Sequence, residues 1–256
     1  MFAHHHTGTA RRIVLVNVKG GCGKTTLATT LAAWYAAAGR STCLLDMDPQ
    51  GSSSEWLNMR PADRPPIAGV WAHQRASGLT RSFALRVPPA TERLIIDTPA
   101  GLTRTQLGDI TRGADAVIVP VLPSAFDIRA SSRSIGELLL AARTLQRQHR
   151  IAVVANRVRR NTHVYDALTR FLNSLTIPFV ASLRNTQHYA LAAEQGLGIH
   201  ELDSRRARAD KAQWKPLIDW LEGGLAATAP NRPARAPANA PSGRAGTVPA
   251  CPQPRP

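Results

Sequence analysis

The chain has 256 residues, of which 43% are hydrophobic, enough for the core of one α/β domain with tails. It contains no apolar run of about eighteen residues and no apolar stretch near its start, so neither a membrane-spanning helix nor a signal peptide is expected. Lys and Arg number 32 against 17 Asp and Glu, and the net charge of +15 favours a polyanionic partner such as nucleic acid, anionic lipid or an acidic protein.

The two ends of the chain differ in composition from its middle. Residues 224–256 hold eight prolines among many Ala, Gly and Arg, and residues 1–10 are short and polar. Neither segment can bury a core, so we expect both to be disordered and residues 11–223 to form one domain. The three cysteines lack metal or disulfide spacing, which favours a reducing, cytoplasmic environment.

Short apolar runs alternate with helical stretches along the predicted domain. Strands are predicted over 13–18, 42–46, 94–97, 116–121, 151–156 and 178–181, and helices over 25–38, 103–112, 128–148, 164–175 and 187–195. Residues 60–92 are rich in proline, fit this alternation poorly and are interpreted as a variable surface insertion. The alternation itself predicts a mainly parallel, twisted sheet with helices on both faces.

The first predicted strand runs into a glycine-rich loop and then into a helix. The loop contains Gly20, Gly21, Cys22, Gly23, Lys24, Thr25 and Thr26. Glycines allow successive backbone N–H groups to converge on phosphate oxygens, and the helix adds the positive end of its dipole. In such loops the lysine reaches the β- and γ-phosphates, and the next hydroxyl, here that of Thr25, binds Mg²⁺. Thr26 is placed to contact the α-phosphate.

Two further predicted strands end in carboxylates. Asp46 and Asp48 close the strand 42–46 in a run that continues to Gly51, and Asp97 ends the strand 94–97. If the chain stays extended, Asp46 and Asp48 point to the same side and serve one site. Because ligands bind at the carboxyl ends of parallel strands, Asp97 is expected to hold Mg²⁺ through water. Strands often end in Asp, so it is the order of these motifs after the loop that indicates a nucleotide site.

The loop departs from the standard phosphate-loop pattern in one respect. Val18 stands where G-x-x-x-x-G-K-[ST] requires glycine, and a second lysine, Lys19, precedes the glycines. Together with D-x-D-P-Q-G from Asp46 and D-x-P from Asp97, this loop makes the sequence resemble the ParA/MinD family of deviant Walker A P-loop ATPases. The resemblance extends from about Arg12 to Gly223 and implies slow, partner-stimulated hydrolysis of ATP to ADP and phosphate.

The resemblance also implies roles for individual residues. Lys19 would reach the ATP phosphates of the second subunit in an ATP-dependent homodimer. Asp48 would orient the attacking water, and Asp46 would support the Mg²⁺ shell. Asn156 stands where the family contacts adenine, although asparagine at a strand end is also a common turn residue. The guanine-reading motif Asn-Lys-x-Asp is absent from the sequence, which favours ATP.

Three functions known in this family fit the chain. In a ParA-like positioning ATPase, the ATP-bound dimer binds DNA without sequence preference, and an adaptor on a plasmid, chromosome, carboxysome or chemoreceptor cluster stimulates hydrolysis. Such a protein is expected in the cytoplasm, associated with the nucleoid. Its candidate DNA contacts are basic residues that could equally be solvated surface charges: Arg157, Arg159, Arg160, Arg184, Arg205, Arg206, Arg208, Lys211 and Lys215.

The two other functions need different features. A MinD-like membrane ATPase requires a terminal amphipathic helix, and residues 210–223 place Trp214, Leu217, Ile218 and Leu221 on one face. Pro216 interrupts this helix, so we interpret it as a cap on the core. An ATP-dependent biosynthetic enzyme of related fold, such as a cobyrinic acid amide synthase or a dethiobiotin synthetase, would not need the second lysine at position 19.

Overall fold

A single parallel sheet organises the protein. The computed structural model describes residues 10–72, 86–124, 128, 132, 135–137, 140, 151–203 and 205–223. Its strands are β1 (Arg11–Leu15), β2 (Thr42–Asp46), β3 (Ala68–Trp71), β4 (Arg93–Asp97), β5 (Ala116–Val121), β6 (Ile151–Val158) and β7 (Phe179–Arg184). They lie in the order β3-β2-β4-β1-β5-β6-β7, and every pair is parallel. The predicted fold class is confirmed.

Helices cover both faces of the sheet. They are α1 (Lys24–Ala37), α2 (Ser52–Asn58), α3 (Arg104–Thr111), α4 (His163–Asn173), α5 (His188–Glu194), α6 (Arg208–Ala212) and α7 (Lys215–Gly223). Alternate residues of each strand point to opposite faces, so Ile13 packs in the core shared with α1, α2 and α7, whereas Val14 packs in the core shared with α3 and α4. Most of the predicted helix 128–148 and the predicted tails, except residue 10, lie outside the described residues.

The interpretation of residues 60–92 as a surface insertion is wrong for part of that segment. Residues 68–71 form β3, which pairs with β2 and extends the sheet at its edge. The strand has only four residues and follows two prolines, so its sequence is too short to show a periodicity. The serine-rich α2 was likewise not predicted. Its Leu57 packs so close to Gly69 that a Cβ at that glycine would lie 2.4 Å from the leucine.

The predicted helix over 210–223 is two helices, α6 and α7, which meet at Trp214. Pro216 lies in the first turn of α7, where proline is tolerated because its missing N–H has no helical partner to lose. Trp214, Leu217 and Leu221 are fully buried, which confirms that this segment caps the core. None of the helices in the described part of the chain is long and apolar enough to cross a membrane.

Candidate nucleotide-binding site

The carboxyl ends of the central strands bring the predicted motifs together. In the strand register, Asp97 of β4 lies opposite Leu15 of β1 on one side and opposite Asp46 of β2 on the other. The glycine-rich loop leaves this edge directly after β1 and enters α1 at Lys24. Two separate sequence motifs and the loop therefore share one end of the sheet, the end at which parallel α/β sheets bind ligands.

The loop leaves the N-terminus of α1 open. Gly23 caps the helix with a left-handed φ of 91°, no side chain caps the first turn, and no acidic residue lies in it. A Cβ at Gly23 would lie 2.2 Å from Nδ2 of Asn156, so both the backbone angle and the space demand glycine. Gly20 and Gly21 are exposed. Uncapped N–H groups at the positive end of a helix dipole are a ready binding site for phosphate.

Lys24 is buried, with 7% of its surface exposed, and is held by backbone oxygens. Its Nζ lies 3.3 Å from the carbonyl oxygens of both Asn17 and Lys19. Asn17 shapes this part of the loop, because its Nδ2 donates to the Pro120 carbonyl at 2.7 Å and its Oδ1 accepts from the Lys19 N–H at 3.0 Å. Sequence reasoning did not single out Asn17, whose signal was a polar residue at the end of an apolar strand.

Asp97 is a buried carboxylate close to other groups of the predicted site. It is 1% exposed, and its two oxygens have no well-aligned hydrogen-bond donor among the described residues, although the Thr25 and Ser53 hydroxyls lie close enough to act on its pKa. Burial raises the pKa of Asp97 to about 7; the Asp46 charge adds to the rise, whereas Thr25 and Lys24 oppose it. A buried carboxylate with so few donors is costly unless a cation offsets its charge. Asp97 and the nearby Thr25 hydroxyl therefore fit the oxygen ligands that Mg²⁺ prefers.

Asp46 and Asp48 do not continue one strand. β2 ends at Asp46, so the extended chain on which the same-side prediction depended stops before Asp48. The buried Asp46 carboxylate instead accepts the Asp48 N–H at 3.0 Å and the Ser54 N–H at 2.9 Å. Asp48 is half-buried, and its Oδ1 accepts the Gln50 N–H at 3.0 Å. Asp46 thus organises the turn that carries Asp48, and its predicted part in the Mg²⁺ shell stays a prediction.

Asn156 and Lys19 both belong to the loop environment. Asn156 is buried, donates from Nδ2 to the Cys22 carbonyl at 2.8 Å and accepts the Arg157 N–H at Oδ1. Its amide therefore braces the phosphate loop, and the adenine contact stays a prediction. Lys19 and Thr26 are partly exposed beside the glycines. The contact of Lys19 with a second subunit also stays a prediction.

Some of the candidate DNA contacts form ion pairs within the protein, and others do not. Arg184 pairs through Nε and Nη2 with the fully buried Asp210, and Lys215 Nζ lies 2.6 Å from Asp219. Lys211 is partly exposed. The remaining candidates are exposed and form no ion pair with another described residue: Arg157, Arg159, Arg160, Arg205, Arg206 and Arg208. The structure thus leaves two exposed basic clusters, the segment 157–160 at the end of β6 and the segment 205–208.

A sequence model of one protein family covers this whole site. The model of the CobQ/CobB/MinD/ParA nucleotide binding domain matches residues 13–199, which include the phosphate loop, both aspartate motifs and Asn156. The chain belongs to this family. The predicted resemblance to ParA/MinD proteins and the prediction of a nucleotide-binding domain are therefore confirmed.

Individual members of the CobQ/CobB/MinD/ParA family are similar over most of the chain. A protein of Halothiobacillus neapolitanus named "maintenance of carboxysome distribution protein A" is 27% identical over 78% of this chain and 91% of its own length. A Gloeobacter kilaueensis protein of the same name is 29% identical over 83% and 94%. The solved structure of apo McdA from Cyanothece has a TM-score of 0.64 at 15% identity, covering 82% of this chain and 99% of that one, and supports the fold.

Proposed function

We propose that this chain is a dimerising ATPase that positions a large cellular cargo, such as a plasmid, a chromosome or a carboxysome, by ATP-regulated binding to DNA without sequence preference. The observation that carries the proposal is one sheet edge that holds a two-lysine phosphate loop and the buried carboxylate of Asp97. The names of the two relatives support cargo positioning. We further propose a cytoplasmic, nucleoid-associated location and an adaptor on the cargo that stimulates hydrolysis.

ATP binding follows from charges that are already in place. The Lys24 ammonium contacts two carbonyl oxygens at 3.3 Å, and charged phosphate oxygens would be stronger acceptors for it. The open N-terminus of α1 and the exposed Gly20–Gly21 backbone can donate N–H groups to the same phosphates. Mg²⁺, held by the Thr25 hydroxyl and through water by Asp97, would neutralise the phosphate charge that develops during phosphoryl transfer.

Hydrolysis needs an oriented water and a second positive charge. The Asp48 carboxylate accepts one backbone N–H, from Gln50, and a carboxylate has further acceptor capacity for a water molecule. Lys19 of a second subunit would add a cation at the γ-phosphate, where negative charge builds up. ATP thereby becomes part of the interface, so ATP holds two chains together and ADP does not.

Dimerisation would switch DNA binding on. Two chains bring together two copies of the exposed clusters 157–160 and 205–208, and the chain carries a net charge of +15. Affinity for DNA rises with the number of phosphates neutralised, and its salt dependence steepens in proportion. A dimer therefore binds random duplex at a salt concentration at which the monomer does not.

The experiment combines light scattering with a gel shift on random duplex DNA. Asp48→Ala protein with Mg-ATP should be dimeric and bind DNA at low salt, with weaker binding at moderate salt. The same protein with ADP, and Lys19→Ala protein with ATP, should remain monomeric and leave the DNA free. ATP-bound dimers that ignore DNA but bind anionic liposomes would favour a MinD-like function instead. A monomer that turns over a small carboxylic acid would favour a biosynthetic enzyme.

One observation disfavours the membrane alternative. The apolar face of α7 that a MinD-like anchor would use is turned inward, with Leu217 and Leu221 fully buried against the core. An amphipathic helix binds a membrane with its apolar face, so α7 would have to leave the core first.

A further inference from the structure

Trp71 lies beside the turn that carries Asp48. It is the last residue of the edge strand β3, and its register partner on β2 is Asp46. The next residue continues this pairing, because the Ala72 N–H donates to the Asp46 carbonyl at 2.8 Å. Strand pairing therefore anchors the Trp71 backbone next to the motif that starts at Asp46.

The indole contacts the turn at two points. Its Nε1–H donates to the Asp48 carbonyl at 3.4 Å, and the same carbonyl accepts the Gly51 N–H at 3.0 Å, which closes the turn. Gly51 has a left-handed φ of 70°, and a Cβ there would lie 3.2 Å from a carbon of the Trp71 ring. The ring thus lies against the side of the turn on which a residue larger than glycine would make a tight contact with it.

Two different side chains hold the backbone of Asp48, the first residue of the turn. The Asp46 carboxylate binds the Asp48 N–H, whereas the Trp71 indole binds the Asp48 carbonyl. The carboxylate of Asp48 itself accepts the N–H of Gln50, which belongs to the same turn. The direction of this carboxylate therefore depends on how firmly the backbone of the turn is fixed.

We propose that Trp71 is a positioning residue for ATP hydrolysis, which holds the turn 48–51 so that the Asp48 carboxylate keeps a single orientation toward the attacking water. The inference rests on the proposed ATPase function. Trp71 acts through Asp48, and the phosphate-binding groups lie on the loop after β1. Its loss therefore lowers kcat and leaves ATP affinity and KM nearly unchanged, because only the transition state needs the oriented water.

The first test compares Trp71→Phe with Trp220→Phe. Phenylalanine keeps a ring over Gly51 but removes the N–H donor, and Trp220 is a partly buried tryptophan that packs in the core shared with α1. Loss of one hydrogen bond predicts a kcat about three- to tenfold lower for Trp71→Phe, with KM within about twofold. Trp220→Phe should match wild type. A Trp71→Phe protein with wild-type kcat, even one with a lower melting temperature, would overturn the positioning role.

A double-mutant cycle separates positioning from a general effect on the fold. If Trp71 acts through Asp48, adding Trp71→Phe to Asp48→Ala should not reduce the residual single-turnover rate further. An equal fold reduction in both backgrounds would overturn the inference. Mg-ATP should also change the tryptophan emission of wild type and of Trp220→Phe but not of Trp71→Phe. An emission change in Trp71→Phe as large as that of wild type would contradict the inference.

The two proposals fail in different ways. Wild-type protein that hydrolyses ATP while Trp71→Phe matches it in kcat overturns the role of Trp71 alone. Wild-type protein that neither binds nor hydrolyses ATP overturns the ATPase function, and the role of Trp71 with it.

Discussion

The phosphate-loop edge of the sheet and the arginine and lysine residues of the segment 205–215 differ in how deeply their charges are buried. At the edge, Lys24 and Asp97 are only 7% and 1% exposed, and backbone oxygens hold the Lys24 ammonium. In the segment, Arg205 and Arg206 are exposed, and Lys215 pairs with Asp219. Burying a charge costs free energy that a protein partner or a ligand must offset, whereas a solvated charge costs little. Buried charges that form no ion pair with another described residue are therefore the stronger sign of function.

Lys24→Ala should produce the largest effect, because it removes the buried ammonium that faces the phosphates. We expect ATP affinity to fall by at least about a hundredfold, as for loss of a charged hydrogen-bonding partner in a buried site. Titration with fluorescent ATP and Mg²⁺ measures it. The matched control is Lys215→Ala, an exposed lysine in the basic segment, which should bind ATP like wild type. Equal affinities in all three proteins would contradict the phosphate-loop assignment.

Asp48→Ala should separate binding from chemistry. Removing a group that orients the attacking water predicts hydrolysis slower by about a hundredfold or more, with ATP affinity unchanged. Single-turnover release of phosphate gives the rate, and ATP titration gives the affinity. Hydrolysis at the wild-type rate would show that another group orients the water.

A buried ion pair between the end of α2 and the loop after α5 extends the same comparison to stability. Arg60 and Glu201 have side chains only 4% and 5% exposed, with Nη2 and Oε1 2.6 Å apart. Glu201→Gln leaves the arginine buried without its counter-ion, so unfolding should need about 3 kcal/mol less free energy. Asp219→Asn breaks the exposed pair with Lys215 and should cost less than about 1 kcal/mol. Urea unfolding measures both, and equal losses would contradict the distinction.

Asp210→Asn tests a buried charge that has an exposed partner. Asp210 is fully buried, and it pairs with the partly exposed Arg184. Burial alone would raise the pKa of Asp210, but hydrogen bonds from Arg184 and His188 outweigh it and lower that pKa. The ionised carboxylate thus stabilises the fold at neutral pH, and this contribution is lost as the pH falls below the unfolded pKa of about 3.9 and through the lower folded value. We expect the variant to be about 1–2 kcal/mol less stable at pH 7.

Two readouts check the Asp210 prediction. In urea unfolding, the stabilities of wild type and variant should converge as the pH falls through the acid range. In gel shifts at neutral pH, the variant should bind random duplex more tightly than wild type, because Arg184 loses its acidic partner. A constant stability difference at all pH values would assign the loss to packing instead of charge.

The smallest effect is expected from the exposed arginines. Replacing Arg205, Arg206 and Arg208 by alanine should lower the DNA affinity of the ATP-bound dimer by less than about tenfold per residue and make its salt dependence shallower. ATP binding and dimerisation should not change. Arg112→Ala, at an exposed arginine paired with Asp109, serves as the control. If the salt dependence of DNA affinity in gel shifts is unchanged, these arginines do not contact DNA. The segment 157–160 would then be the next candidate surface.

The sequence predicted most of the alternating strands and helices well. The predicted bounds of β2 and β5 match the structure, and those of α1 and α5 differ by one residue at each end. Buried parallel strands are continuous apolar runs, and α1 and α5 each end just before a glycine in the left-handed conformation, Gly39 and Gly196, so local pattern suffices for them. β3 was not predicted because four residues hold too little periodicity, and α2 was not predicted because it opens with three serines and has only Trp56 and Leu57 as apolar residues.

The residue types of the site were also determined by sequence alone. Two lysines in a glycine loop and aspartates after two strands identify phosphate and Mg²⁺ chemistry, because few other residues can perform it at that spacing. Only the tertiary structure showed which hydrogen bonds hold the phosphate loop and the turn at Asp48, and which residues make them. The phosphate loop is braced by hydrogen bonds of Asn17 to Pro120 and of Asn156 to Cys22, which span 103 and 134 positions of the sequence. The turn at Asp48 is braced by Trp71, which is 23 positions away. Such contacts leave no local pattern, since they arise only when parallel strands bring distant residues to one edge of the sheet.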